Sequence, residues 1–524
     1  MAAAPSYEGA KTKPSPETDL LRDCRTIRER VFIYSSWVLH LLASKWQSLF
    51  FDLSKKAKRP FPMEKVIALN QEHRHSVLVR MTTFFVYLFD QVMPDPYVFA
   101  VILTFVAAVL AYVFAPNAHP QQIVTAWYSG VFNLFTFAFQ MVIMLVAGYT
   151  LASAPAIRTL LGKIASIPGN PAAAVSLTIL VSMIASWVNW GLGLVTAALL
   201  AREIAKRIRM DFGWLIAAAY TGFVISTEGL SGSIALSQAT HGSALNIVEK
   251  VTGQLTPLSQ TVFTRFNLIP IAVLLVVLPI IFRYIGPTPE NTHPADLERL
   301  RVEDSPPVRK EKANTLGGKL DNAWILTVLL VVFIGAALGT ELYRTKGSLD
   351  LNSVIMTLLM LGLLLHWTPA AYVAAIKHAA RISGPLILQY PLYGGLMGIM
   401  TTTGLAGVLS KVFLSFSTAH TIPFWTYLTS VVITFFVPSG GGHWAVQGPF
   451  AIPAARDLHA SLAGVTMSVA MGESVANMLQ PFFALPILAI AGIRVQRMMG
   501  FMVITFLISF VVFGLSLLFL VPSQ

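Results

Sequence analysis

Two short stretches carry the residues best suited to hold a small charged group. In VPSGGGHWAVQGPF (437–450), Ser439, Gly440, Gly441, Gly442, His443 and Trp444 interrupt an apolar run between TYLTSVVITFF and AIPAA. Glycine weakens a helix by about 1 kcal/mol and proline by about 3. Lipid cannot satisfy exposed backbone, so such a break must face protein or a wet cavity. The arm that restarts after Gly442 presents unpaired N–H groups and partial positive charge at its start. A carboxylate suits that position, and glycine lets a ligand approach the backbone closely. NWGLG (189–193) offers the same arrangement, with Asn189 as a helix cap followed by Trp190, Gly191 and Gly193. Two such tips meeting near the midplane would enclose a small anion. His443 has two readings, a donor or proton carrier near neutral pH or a ring that bonds a neighbouring carbonyl and holds the tip. Trp187, Trp190 and Trp444 could contact a short acyl tail or serve as core aromatics.

Two further breaks follow the tips. YTGFVISTEGLSGSIALSQATHG (220–242) contains Glu228 amid glycine and serine, and AMGESVANMLQPFFALP (470–486) contains Glu473, Asn477, Gln480 and Pro481. An ionisable residue at membrane depth is costly and is a functional candidate. Glu473 is the stronger of the two, because Asn477 at i+4 and Gln480 at i+7 extend it into a polar stripe. Glu228 could instead sit at a water-facing helix end. Ser231 with His241, and Ser439 with His443, give a weak hint of an intramembrane hydrolase, since spacing alone defines no dyad. No zinc-protease or nucleotide-binding motif is present, so the residues point away from an enzyme and require no cofactor.

The elements that must position these groups are apolar helices. Of 524 residues, 55% are hydrophobic and 12% charged, half the charge usual for a soluble chain. YVFAVILTFVAAVLAYVFA (97–115), AWILTVLLVVFIGAALG (323–339) and FMVITFLISFVVFGLSLLFLV (501–521) approach or exceed the roughly 20 residues that cross a bilayer. The net charge of +12 does not point to nucleic acid; the basic residues lie between apolar segments, as membrane topology dictates. Cys24 is the one cysteine, which excludes an intrachain disulfide. No cleavable signal peptide is visible.

The expected organisation is a basic cytoplasmic preamble over 1–80, with an interfacial helix at 31–51, a membrane half over 84–284, a cytoplasmic linker over 285–320 and a second membrane half over 322–524. Basic residues at Arg158 and Lys163, and at Arg202 to Arg209, place both ends of the first broken pair in the cytoplasm. The added helix near 322–340 inverts the second series, so its hairpin opens outward. The fold class expected is an all-α polytopic membrane protein of two inverted repeats, each with a broken hairpin, with about nine spans and two hairpins.

VPSGGGHWAVQGPFAIPAA, MPDPYVFA, WVNWGLGLV with AREIAKR, and NMLQPFFALPILAIAG closely resemble the short-chain fatty acid transporter family, the bacterial type associated with acetoacetate and butyrate use. The resemblance runs from about residue 77 to the C-terminus. It implies uptake of short-chain monocarboxylates across the bacterial inner membrane. A more distant likeness to the ion-transporter superfamily implies inverted repeats with paired hairpins, and a homodimer with elevator-like movement. The chain departs from the family in its preamble and around 226–229, where the family tends to carry Trp and Gly and this chain has STEG. Together these give a secondary carrier in contact with membrane lipid. Residues 189–193 and 439–444 hold a small-molecule carboxylate, and Glu473, Asn477 and Gln480, with Glu228 less securely shared, handle a co-transported proton or sodium. A passive anion channel is the competing reading.

Overall fold

Helix boundaries follow local chemistry closely. A computed structural model of the chain describes residues 96–116, 118–287, 292–296, 315–435, 437–480 and 483–522. The preamble 1–80 with its helix at 31–51, most of the linker and Pro481 lie outside the described residues. All regular structure among the described residues is helical. In the first half run α1 (Pro96–Phe114), α2 (Pro120–Asn133), α3 (Phe135–Ser153), α4 (Pro155–Ile164), α5 (Pro171–Val188), α6 (Trp190–Ala205), α7 (Phe212–Thr221), α8 (Ser233–Ala239), α9 (Ile247–Thr252) and α10 (Arg265–Tyr284). After the linker come α11 (Leu316–Asp321), α12 (Trp324–Arg344), α13 (Leu351–His366), α14 (Pro369–Ala380), α15 (Gly384–Thr402), α16 (Leu405–Leu414), α17 (Ile422–Thr434), α18 (Gly440–Asp457), α19 (Leu462–Asn477), α20 (Leu485–Ala491) and α21 (Gln496–Phe519). Proline at the first turn of α2, α4, α5, α14 and α17 costs nothing, because those N–H groups have no helical partner. Asn170, Asp211 and Ser461 cap α5, α7 and α19 through side-chain oxygens.

Six helices among the described residues are long and apolar enough to cross a membrane, or seven if α15 and α16, bent by 73°, form one span. Length alone does not recover nine spans, because several expected crossings are built from short pieces. Residues 212–238 form α7, a 3-10 turn at Gly222–Ile225, an irregular stretch and α8. Residues 463–492 form α19, a break and α20. Both expected hairpins are present as helix pairs, α5 with α6 and α17 with α18, and both expected broken helices follow them.

A close helix crossing joins α2 of the first series to α15 of the second. A Cβ at Gly130 of α2 would lie 2.3 Å from the Gly394 carbonyl oxygen, and one at Gly398 of α15 would lie 2.3 Å from the Ala126 oxygen. Small residues four apart on each helix thus let the backbones touch. In lipid, where apolar side chains gain little by leaving the solvent, such packing is a main source of association. α5 packs against α6, α7 and α10, and α17 against α19. α1 and α12 lie at the periphery, mostly exposed.

Ends expected on one side of the membrane meet in the structure. The linker's His293 N–H donates to Asp211 Oδ2 (2.9 Å), and Arg497 donates to the His293 carbonyl (3.1 Å). Two ends expected on the other side meet as well, where Leu351 N–H donates to Thr240 Oγ1 (3.0 Å).

Gly130→Leu should destabilise the protein by about 1–3 kcal/mol through overpacking and lower its melting midpoint in detergent. Gly339→Leu, where nothing lies within 4 Å of an added Cβ, should leave the midpoint unchanged. Equal midpoints for the two variants would show that the crossing is not a tight contact.

Candidate functional site

The first tip satisfies most of its own backbone. Asn189 adopts an extended conformation between α5 and α6, and its Oδ1 accepts from Leu192 N–H at 2.8 Å. It sits so close to α3 that a Cβ at Gly148 would lie 2.0 Å from that oxygen. Trp190 N–H donates to Ser231 Oγ (3.0 Å), and Leu230 N–H donates to the Trp187 carbonyl (2.7 Å). Two amides of the new helix are therefore already used. Ser186 Oγ, Trp187 Nε1 and Asn189 Nδ2 remain buried without hydrogen-bond partners. The Trp190 ring meets Phe483 edge-on. Gly191 packs on the Leu145 carbonyl and Gly193 on Ser186.

The second tip is built differently. Ser439 precedes α18 in an extended conformation but caps nothing; its hydroxyl donates to Tyr390 OH at 3.2 Å. The first turn of α18 therefore lacks a side-chain cap. Gly441 lies under Phe137, and Gly442 under Tyr393. Beside Gly440 the neighbours are polar. An added Cβ would sit 2.5 Å from Ser233 Oγ and 3.1 Å from Glu473 Oε2.

His443 spans the two arms of this hairpin. Its Nε2 lies 2.6 Å from Gln447 Oε1 and 3.4 Å from Ser430 Oγ, and its Nδ1 lies 3.1 Å from Thr434 Oγ1. Gln447 donates its own amide to the Thr426 carbonyl (2.9 Å), so its Oε1 can only accept and His443 carries its proton on Nε2. That N–H is spoken for, and the ring holds α17 to α18. Trp444 is fully buried, and its Nε1 donates to the Leu245 carbonyl at 2.8 Å; it anchors the hairpin to the 240–252 loop. Neither serine–histidine pair forms a dyad, since His241 bonds Glu249 and is largely exposed.

Between the tips lies a buried carboxylate cluster. Glu228 Oε1 accepts from Thr227 Oγ1 (3.0 Å) and Oε2 from Ser474 Oγ (3.0 Å). The Thr227 and Ser474 hydroxyls also contact each other. Thr227 Oγ1 lies 2.9 Å from the Ala470 carbonyl, and Asn267 Nδ2 donates to the Glu228 carbonyl (3.0 Å). Glu473 precedes Ser474, and its Oε2 is buried without a hydrogen-bond partner. Asn477, one turn on, accepts from Gln480 Nε2 at 2.6 Å, while its own Nδ2 is also buried and unpartnered. Among the described residues neither glutamate forms an ion pair.

The structure thus gathers Glu228, Glu473, Asn477, Gln480 and Gly440 in one polar interior. The 228–233 segment touches both tips, the first through Ser231 and the second through Ser233. Sequence reasoning missed Thr227, Ser233, Ser474, Asn267 and Tyr390, and gave Ser231 only as a partner for His241. For Thr227, Ser233 and Ser474 the signal lay in the hydroxyls flanking each glutamate in STEGLSGS and GESVAN; Asn267 and Tyr390 stand in other helices and carried no local signal.

A family model described as short chain fatty acid transporter matches residues 77–520. The chain belongs to that family. Two relatives named "Putative short-chain fatty acid transporter" are similar along nearly their whole length. The one from Escherichia coli K12 is 37% identical over 449 residues, covering 84% of this chain and 99% of the relative. The one from Haemophilus influenzae is 36% identical over 448 residues, covering 85% and 100%. A crystal structure of the Alcanivorax borkumensis YdaH transporter is similar with a TM-score of 0.49 at 13% identity, over 83% of this chain and 97% of that one; likeness at that level says nothing of substrate. Family membership and the apolar helices make this protein a multi-pass membrane transporter rather than an enzyme.

His443→Ala should lower the melting midpoint in detergent without any substrate present, a loss of about 1–3 kcal/mol for leaving buried partners unsatisfied. A ring directed only at ligand would leave that midpoint where it was.

Proposed function

We propose that the protein is a secondary carrier for short-chain monocarboxylates of the size of butyrate and acetoacetate. It works in a bacterial inner membrane and takes a proton or sodium ion with its substrate. The observation that carries this reading is the Glu473 carboxylate, buried beside Gly440 at the uncapped start of α18 with Oε2 unpartnered. A helix start favours negative charge, and here the protein supplies one of its own.

Substrate and Glu473 then compete for the same place. With a cation on Glu473, its negative charge is cancelled and the glycine-rich start of α18 becomes free for the substrate carboxylate. Without one, two carboxylates would face each other in a poorly solvated interior, at a cost of several kcal/mol. Loading the cation and loading the substrate therefore favour each other, and by linkage equally so. Glu228, held by the Thr227 and Ser474 hydroxyls, with the Ala470 carbonyl behind Thr227, belongs to the same cation-dependent interior; oxygen neighbours of this kind suit a proton or a hard cation. Asn189 and Trp190 close the opposite side through Ser231.

The order of elements supports two inverted repeats. A long helix, a hairpin, a broken helix and a long helix follow one another as α3, α5–α6, α7–α8 and α10, and again as α15, α17–α18, α19–α20 and α21. The α2–α15 crossing joins the two series.

Purified protein in liposomes should accumulate labelled butyrate under an imposed pH or sodium gradient, with saturation. Glu473→Gln, which mimics the neutralised side chain, should keep exchange of labelled for unlabelled butyrate but lose gradient-driven accumulation. Accumulation by that variant at the wild-type level would remove Glu473 from coupling. Uptake that neither saturates nor follows a gradient would identify a channel.

A further inference from the structure

A cavity of about 500 Å³ lies well away from the tips, between α2, α15, α18 and the 240–252 loop. Pro449 and Pro453 of α18 form one wall. Pro449 is nine residues from Gly440, which puts it about 14 Å along the helix from the tip at 1.5 Å per residue. The floor is the glycine crossing, Gly130 and Gly398. By the loop charges that orient the chain, this is the outer side.

The lining has one charged residue, Lys250, and no carboxylate. Its ammonium donates to the Ala244 carbonyl at 2.6 Å, a neutral partner. The adjacent Glu249 is held elsewhere, with Oε1 on His241 and Oε2 accepting from Gly242 N–H (3.0 Å). Two ammonium hydrogens are thus left for an incoming anion, with the nearest carboxylate already engaged. Asn133, Thr401 and Thr402 add polar groups, while Ile247 and Met397 give an apolar side. The volume falls within the usual range for small-molecule sites, roughly 300–1,000 Å³. One cation, a few polar groups and an aliphatic wall are the complement of a short monocarboxylate.

We propose that this cavity is an outer binding site for the substrate carboxylate, with Lys250 as its counter-ion, occupied before the substrate reaches the tips. The ligand class rests on the carrier reading above; the site itself rests on the cavity and the placement of Lys250. Lys250 stands on α9, and the Leu245 carbonyl just before that helix holds Trp444, so the outer site is tied directly to the second hairpin.

Two measurements test it in the full-length chain with Cys24→Ser. First, Lys250→Met should raise the half-saturating concentration of external butyrate by about five- to tenfold with little change in maximal rate, and Lys250→Arg should restore most of it. Second, a membrane-impermeant thiol reagent added to intact cells should label Thr402→Cys, an exposed lining position. Butyrate should slow that labelling when Lys250 is present and fail to do so with Lys250→Met. Unaltered half-saturation together with no protection would overturn the site while leaving the carrier reading intact. Protection without any butyrate uptake by the liposomes would uphold the site and overturn the carrier reading. Labelling only after the membrane is opened would put the cavity on the inner side and end its role in entry.

Discussion

A helix interrupted inside a membrane leaves N–H and C=O groups that lipid cannot bond, and the interior of this protein is organised around satisfying them. Four interruptions converge there, at 189, at 226–232, at 437–439 before α18 and at 478–480 where α19 has ended. Each is answered by another. Ser231 from one break accepts from Trp190 at a second, and the Trp187 carbonyl accepts from Leu230. Ser233 and Glu473, at the edges of two breaks, lie against Gly440 at a third. Tyr220, just before the 3-10 turn, donates to the Asn477 carbonyl (2.9 Å) as α19 ends. The tips, the carboxylates and the broken helices therefore form one polar unit rather than separate features.

That unit is unequal on its two sides. Asn189 caps the first restarting helix from within and Ser231 takes another of its amides, whereas Ser439 turns away to Tyr390 and leaves α18 uncapped. The difference is one of partners, since serine caps as well as asparagine, as Ser461 does for α19, but the Ser439 hydroxyl is engaged by Tyr390. An Asn side chain is the right length to accept from the amide three residues on. The three glycines that follow Ser439 provide no side chain at all, and Gly441 and Gly442 are covered instead by Phe137 and Tyr393. At Gly440 two polar side chains close in instead, since an added Cβ would lie 2.5 Å from Ser233 Oγ and 3.1 Å from Glu473 Oε2, so the start of α18 is already fronted by a carboxylate of the protein itself.

Much of this was legible in the sequence because backbone chemistry is local. Glycine runs, the Asn189 cap, prolines at helix starts and the two glutamate-bearing breaks all announced themselves within a few residues. The roles of His443 and Trp444 did not, because they depend on partners set by packing. Thr434 and Gln447 lie close in sequence to His443, yet no pattern shows that both arms close on one ring. Trp444 reaches a carbonyl on a loop 199 residues earlier. The α2–α15 crossing was hidden for a similar reason: Gly130, Gly394 and Gly398 read as ordinary membrane glycines until the helices are brought together. Thr227 and Ser474 escaped notice because a hydroxyl beside a glutamate is common, and becomes informative only when the other carboxylate's neighbour meets it.

The absence of an ion pair at Glu228 and Glu473, among the described residues, bears on how such a site can work. A fixed lysine or arginine at the tips would neutralise the glutamates permanently and hold an anionic substrate too firmly to release it. Hydroxyls and amides stabilise a carboxylate only partly, so the balance between charged and neutralised forms stays within reach of a mobile cation. On the reading above, the fixed positive charge that meets the substrate is the one at the cavity, Lys250, where solvent screens it and an anion can leave again. Attraction at the periphery and conditional acceptance at the centre are then separate tasks, assigned to different residues and joined through the short segment, Leu245 and α9, that carries both the Trp444 anchor and Lys250.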